Sequence, residues 1–194
     1  MDFSEHLYSV LVVSRAENFN RSLTELLQKS RYSPITVVSD AGSAKRTLLE
    51  RSFDIVLINT PLPDEFGTRL ALDICAGSGT GILLFVAAEH FSDINERVIP
   101  YGVLTVSKPT SAQMIRQSML LLCGTRERLR RMEQKTASIE EKMEEIRIIN
   151  RAKWLLIDQL KMTETEAHRY IEKQAMDRCV TRRVIAENII ATYK

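Results

Sequence analysis

Residues 150–190 read N150-R-A-K-W-L-L-I-D-Q-L-K-M-T-E-T-E-A-H-R-Y-I-E-K-Q-A-M-D-R-C-V-T-R-R-V-I-A-E-N-I-I190. Thr163 and Glu166 form an S/T-x-x-E capping box, which starts a helix by satisfying orphan backbone donors. Ala167, Tyr170, Ile171, Gln174 and Ala175 then recur at spacings of three and four, the pattern of an amphipathic helix. Cys179 and Val180 interrupt it. Thr181 stands where it can cap a last helix, whose apolar residues are Ile185, Ala186, Ile189 and Ile190. Before Thr163 lies the end of a longer helix carrying Trp154, Leu155 and Ile157. Three short helices of this kind form one small core only by packing on each other, which makes Trp154 and Tyr170 expected core residues.

The same stretch resembles the ANTAR domain, a three-helix RNA-binding module of bacterial transcription antiterminators. Ala152-Lys153 with Leu155-Leu156, Glu166-Ala167, Gln174-Ala175-Met176 and Val184 to Ile190 carry the resemblance. It implies binding of paired hairpins in a leader transcript, so that a terminator hairpin does not form. By match to the family pattern, the implied RNA contacts are Ala152 and Lys153 at the end of the long helix. Arg169, Lys173, Gln174 and Arg178 follow on the second helix, and Arg182 and Arg183 open the third. At that third helix the positive dipole end also favours phosphate.

Upstream of residue 150 a heptad pattern runs along what reads as one helix from near Ser111 to Leu160, interrupted only by Gly124, at about 1 kcal/mol. With Leu129 as position a, Met132 is d, Thr136 a, Ile139 d, Met143 a, Ile146 d and Asn150 a. Three heptads of this kind predict a parallel homodimer, with Asn150 specifying register. The flanking pairs Arg128–Glu133 and Lys135–Glu140 attract across such a dimer, while Lys142–Arg147 repels. The competing reading is a single helix packed back on its own N-terminal domain.

The first 123 residues alternate short apolar runs with helical segments. The runs are Leu11–Val13, Thr36–Val38, Ile55–Ile58, Ile82–Val86 and Val103–Val106, with helices expected at Asn18–Ser30 and Ser92–Val98 among others. Apolar strands without strict alternation, separated by helices, predict an α/β fold. The expected sheet is five-stranded, parallel and doubly wound, of flavodoxin-like order 2-1-3-4-5. Here the chain resembles a two-component receiver domain over residues 7–122. Asp54 to Asn59, then Leu62-Pro63-Asp64 and Gly67, is similar to the receiver's third strand and its loop. Lys108-Pro109 is similar to the receiver's lysine-proline pair, joined in that family by a cis bond.

A receiver accepts a phosphoryl group on an aspartate beside a bound Mg²⁺. The resemblance places Asn59 at the acceptor position, Ser14-Arg15 at the acidic pair and Val86 at the switch residue, leaving only Lys108. An amide is not a carboxylate nucleophile, and a hard divalent cation needs several oxygen ligands, mostly anionic. The expected object is a pseudo-receiver, with no cofactor, no metal and no catalytic residue.

Three domains are therefore expected: a pseudo-receiver over 1–123, a coiled-coil linker over 124–150 and the RNA-binding module over 151–194. The net charge of +2 is unevenly divided. Residues 124–194 hold 16 Lys and Arg against 12 Asp and Glu, leaving +4, which suits a polyanion. The apolar fraction of 44% is enough for a core. No apolar run of membrane-spanning length and no signal peptide is evident, and three widely spaced cysteines read as reduced thiols. A cytoplasmic protein without a membrane partner follows. His6, His90 and His168 are isolated, and no phosphate-binding or nucleophile-elbow motif occurs, so no enzymatic activity is expected. Some phosphorylation-independent relatives are restrained by a ligand-sensing protein, so the resemblance also admits a sensor or ligand-binding regulatory partner. Two other classes compete. A DNA-binding transcription factor would need a tight, often glycine-bearing turn, and no glycine follows Gly124. A signalling adaptor would bind protein through the same helices.

Overall fold

The computed structural model describes residues 7–193, so His6 lies outside the described residues. The chain divides into two compact units between Arg131 and Met132. The first is a five-stranded parallel sheet: β1 (Tyr8–Val13), β2 (Tyr32–Val38), β3 (Ile55–Asn59), β4 (Gly81–Ala87) and β5 (Leu104–Lys108). The strand order is β2-β1-β3-β4-β5, the flavodoxin-like order expected above. The helices are α1 (Glu17–Leu26), α2 (Ala41–Glu50), α3 (Thr68–Gly77), α4 (Phe91–Val98) and the start of α5 (Ala112–Leu160).

The pleat sorts each strand's residues to two cores. Leu11, Val13, Val56, Ile58, Leu84 and Val86 face α2, α3 and α4, which contribute Ala44, Leu70, Ile74, Ile94 and Val98. Val10, Val12, Ile55, Leu57, Leu83 and Phe85 face α1 and α5, which contribute Leu23, Ile115, Met119 and Leu122. Both faces are covered, so the strands read as unbroken apolar runs.

The ends of elements depart from expectation. Sheet pairing lengthens β1 and β2 beyond their most apolar triplets. Pro34 lies within β2, which the sheet tolerates because β2 is an edge strand. The register of β2 against β1 shifts between Tyr8 and Val10. Helix α1 stops at Leu26, short of Ser30. Leu27 turns extended and buries its side chain, and the Gln28 carbonyl accepts the N–H groups of Arg31 and Tyr32 as the chain turns into β2.

The second unit is built from the end of α5 with α6 (Glu164–Asp177) and α7 (Arg182–Thr192). Helix α5 runs 49 residues without a break, as the sequence predicts. A Cβ at Gly124 would meet nothing within 4 Å, so packing does not demand the glycine. The core of this unit is Ala152, Leu156, Ala167, Ile171, Ala175, Ile185, Ala186 and Ile189. Its small residues let three helices approach closely. No helix among the described residues is long and apolar enough to cross a membrane.

Candidate nucleic-acid interface and the pocket at the carboxyl edge of the sheet

The parallel strands bring Ser14, Asn59 and Lys108 to the carboxyl edge of the sheet, where ligands of open α/β sheets bind. Lys108 Nζ donates to Asn59 Oδ1 at 2.8 Å and, closely, to the Thr60 carbonyl. Asn59 Nδ2 donates to Ser14 Oγ at 3.1 Å, and Ser14 Oγ also accepts the Ala16 N–H at 3.2 Å. Burial holds the Lys108 ammonium below the usual lysine pKa. The lysine therefore closes a hydrogen-bond chain from β5 through β3 to the end of β1. Val86 is fully buried and serves the core on the α4 side. Arg15 is exposed and lines an open cleft of about 470 Å³ with Ser14, Glu17, Asn20, Ser39 and Ser43. The Lys108–Pro109 bond is cis.

The loop after β3 is tied to the start of α2. Asp64 accepts the N–H groups of Ala41 at 3.0 Å and Gly42 at 2.9 Å in the first turn of α2. These bonds hold its carboxyl below the ordinary carboxylate pKa. Gly67 sits at φ 103° before α3, and a Cβ there would approach Ile58 Cγ2 to 3.0 Å. Only glycine meets both demands. Among the described residues, no group of three His, Cys, Asp or Glu side chains is placed to hold a metal ion.

In the second unit both sequence-predicted caps form. Thr163 Oγ1 accepts the Glu166 N–H at 3.3 Å, and Glu166 Oε2 accepts the Thr163 N–H at 2.8 Å. Thr181 accepts from the Val184 N–H at 3.4 Å. Cys179 turns the chain between α6 and α7 with φ 52°. A non-glycine residue thus makes the turn, so the lack of glycine does not argue against a helix-turn-helix form.

The expected contact residues fall into three groups. Ala152 is fully buried in the core, so its side chain cannot touch a ligand, and its family match reflects packing. Lys153, Arg182 and Arg183 are ion-paired. Lys153 meets Glu164 at 3.1 Å, Arg182 meets Glu172 at 3.5 Å and Arg183 meets Glu187 at 2.9 Å. Arg169, Lys173 and Arg178 are exposed, with no ion pair among the described residues. Gln174 is half-buried. Arg169 and Lys173 lie one turn apart on the outward face of α6, opposite Ala167 and Ile171.

Sequence reasoning misplaced two aromatic residues. Trp154 is 70% exposed and Tyr170 39% exposed, while Leu156 takes the buried position on α5. Their helical spacing is real, but an apolar side chain at that spacing fills a core only if its face meets another helix. Helix α5 presents Ala152 and Leu156 to α6 and α7, and Trp154 points nearly the opposite way. The heptad positions Leu129, Met132, Ile139, Met143 and Ile146 are also exposed, as is Asn150.

Residues 137–190 match the family profile described as the ANTAR domain. The chain carries an ANTAR domain. The match begins at residue 137, within the heptad stretch and upstream of residue 151. Over 184 residues the chain is 25% identical to the transcriptional regulatory protein PdtaR of Mycobacterium tuberculosis, covering 94% of this chain and 89% of that protein. Two strains of that organism carry the match. Among solved structures, the signal receiver domain of an HD domain-containing protein from Pseudomonas fluorescens Pf-5 is 21% identical, with a TM-score of 0.59. The alignment covers 68% of this chain and 96% of that one. A CheY-like response regulator receiver domain from Methylobacillus flagellatus is 18% identical, with a TM-score of 0.52, covering 60% and 99%. The unit N-terminal to the ANTAR domain has the receiver fold.

Proposed function

We propose that this protein is an RNA-binding transcription antitermination regulator of response-regulator type that works without phosphorylation. The observation that carries the reading is the ANTAR domain at 137–190 on a module whose outward face bears Arg169 and Lys173, with Arg178 at the end of α6. The regulatory name of the relative supports it. Cations that are not neutralised internally are the ones available to phosphates. Sequence-specific RNA binding reads unpaired loop bases while cations hold the backbone. Two modules brought together by a parallel homodimer through Leu129, Met132, Ile139, Met143, Ile146 and Asn150 suit a target of two hairpins. Holding those hairpins in a leader transcript keeps the terminator from forming.

Residues 1–123 act as a pseudo-receiver, 124–150 as the coiled-coil linker and 151–194 as the RNA-contacting part, in the cytoplasm. The chain Ser14–Asn59–Lys108 supports the loss of phosphoryl transfer, because the lysine already has neutral partners and an amide stands where a carboxylate nucleophile would be needed. The input is then a protein partner, of the sensor or ligand-binding class.

The test is sequencing of RNA crosslinked to the full-length protein in its native cell, followed by hairpin affinity over a salt series. Because α6 and α7 also have a helix-turn-helix form, duplex DNA is the competitor. Arg169→Gln with Lys173→Gln weakens binding and lowers the salt slope by about 0.7–0.9 for each phosphate that the variant no longer neutralises. Arg182→Gln with Arg183→Gln acts in the same direction. If no leader hairpin competes better than random RNA or duplex DNA, the function is wrong.

A further inference from the structure

We propose that the self-association face of α5 continues past Asn150 to Trp154 through a change of repeat, and that its occupant is a second copy of this chain. The proposal rests on the dimer reading above. Met132, Ile139, Met143 and Ile146 are 51–57% exposed, and Trp154, the chain's single tryptophan, is 70% exposed. At about 100° per residue, Trp154 lies within about 20° of Met143 around the helix, and about 160° from Ala152 and Leu156. A stripe of this kind on one face, unlike scattered apolar residues, marks an interaction surface.

The decisive detail is Lys153. An unbroken heptad repeat would put it at the next d position, pointing into the partner helix. In the structure it turns to Glu164 at 3.1 Å, and its side chain is only 16% exposed. The residue presented to a partner is Trp154. The spacing of Met143, Ile146, Asn150 and Trp154 then reads 3-4-4, an eleven-residue repeat of about 3.67 residues per turn, which unwinds a left-handed supercoil. The interface therefore straightens where α5 enters the ANTAR core and must serve α6 and α7 on its other side.

Charge favours a second copy over a polyanion. Arg128–Glu133 and Lys135–Glu140 pair across a parallel dimer in this register. Arg147 is held by Glu144 at 3.6 Å, which softens its encounter with Lys142. Around Trp154 the same side of α5 carries both signs, with Arg147 and Arg151 before it and Asp158 one turn beyond, which is not the uniform basic patch a phosphate backbone selects.

The single tryptophan makes the test direct. Full-length protein is sedimented, and its Trp154 fluorescence is quenched with acrylamide, beside Ile139→Lys/Met143→Lys. The expected result is a wild-type dimer whose quenching constant is several-fold lower than that of the monomeric variant. If the variant does not fold, dilution of wild type through its dissociation range replaces it. In a Cys179→Ser background, Trp154→Cys and Asn150→Cys form interchain disulfides readily and Lys153→Cys does not. A wild-type dimer whose Trp154 quenches as freely as in the monomer overturns the extension and leaves the dimer reading standing. A wild-type monomer overturns both. Shielding that appears only when an RNA hairpin is added assigns the tryptophan to nucleic acid. Crosslinking at Lys153→Cys in preference to Trp154→Cys means that the heptads continue unbroken. Either of these two outcomes removes the proposal.

Discussion

Replacing Ile171 with alanine separates packing from contact in the ANTAR domain. Ile171 is fully buried at the centre of α6, with Ala167 and Ala175 one turn away on either side. Those neighbours are too small to relax into the space. Three carbons leave the core, worth about 0.8 kcal/mol each in transfer, and the residual cavity adds to that. The expected loss is about 2–5 kcal/mol. A unit of this size with eight buried core residues holds only about 3–5 kcal/mol in all. Ile171→Ala therefore leaves α6 and α7 largely unfolded at room temperature, with the five-stranded sheet intact. The assay is amide hydrogen exchange by α6 and α7 beside the strands, with urea titration followed by far-UV circular dichroism. The control is Tyr170→Ala, one residue away but 39% exposed, which costs less than about 1 kcal/mol. Protection of α6 unchanged to within about 0.5 kcal/mol in Ile171→Ala refutes the packing argument.

At the sheet edge, Asn59→Asp is expected to gain a charged partner for Lys108 yet take up no phosphoryl group, because Ser14 and Arg15 supply no metal-binding acids. Intact-mass spectrometry after incubation with acetyl phosphate and Mg²⁺ checks this, and a stoichiometric phosphoryl adduct would falsify it. The capping box makes the second unit sensitive to acid. Bonds from the backbone N–H and hydroxyl of Thr163 depress the Glu166 pKa below its ordinary 4.5. Its contribution is thus complete above pH 4.5 and is lost as pH falls through the lower folded value. Thermal melts of the wild type should lose this contribution over that window, and Glu166→Gln should flatten that part of the profile. An unchanged profile removes Glu166 as its source.

The periodicities decided much on their own. Strand runs apolar on both faces, alternating with helices, are buried under helices on both sides, so the doubly wound sheet was legible in five short stretches, while its order is one of two common to such sheets and is decided by the fold. Thr163, Glu166 and Thr181 announced their helix starts because capping is a local bond between residues three apart. The 49-residue reach of α5 was legible because nothing in its sequence stops a helix. Tertiary structure decided which face of that helix meets another. A spacing of three and four marks Trp154 and Leu156 alike as apolar helical positions, and only the packing of α6 and α7 buries Leu156 and leaves Trp154 in solvent. Ala152 matched a functional pattern while serving as core. Lys153, Arg182 and Arg183 counted as positive charges in the sequence, but the fold sets a carboxylate against each. Arg169, Lys173 and Arg178 stand apart from them for a reason no spacing states: charge is local to a residue, whereas its neutralisation depends on which distant helix comes alongside.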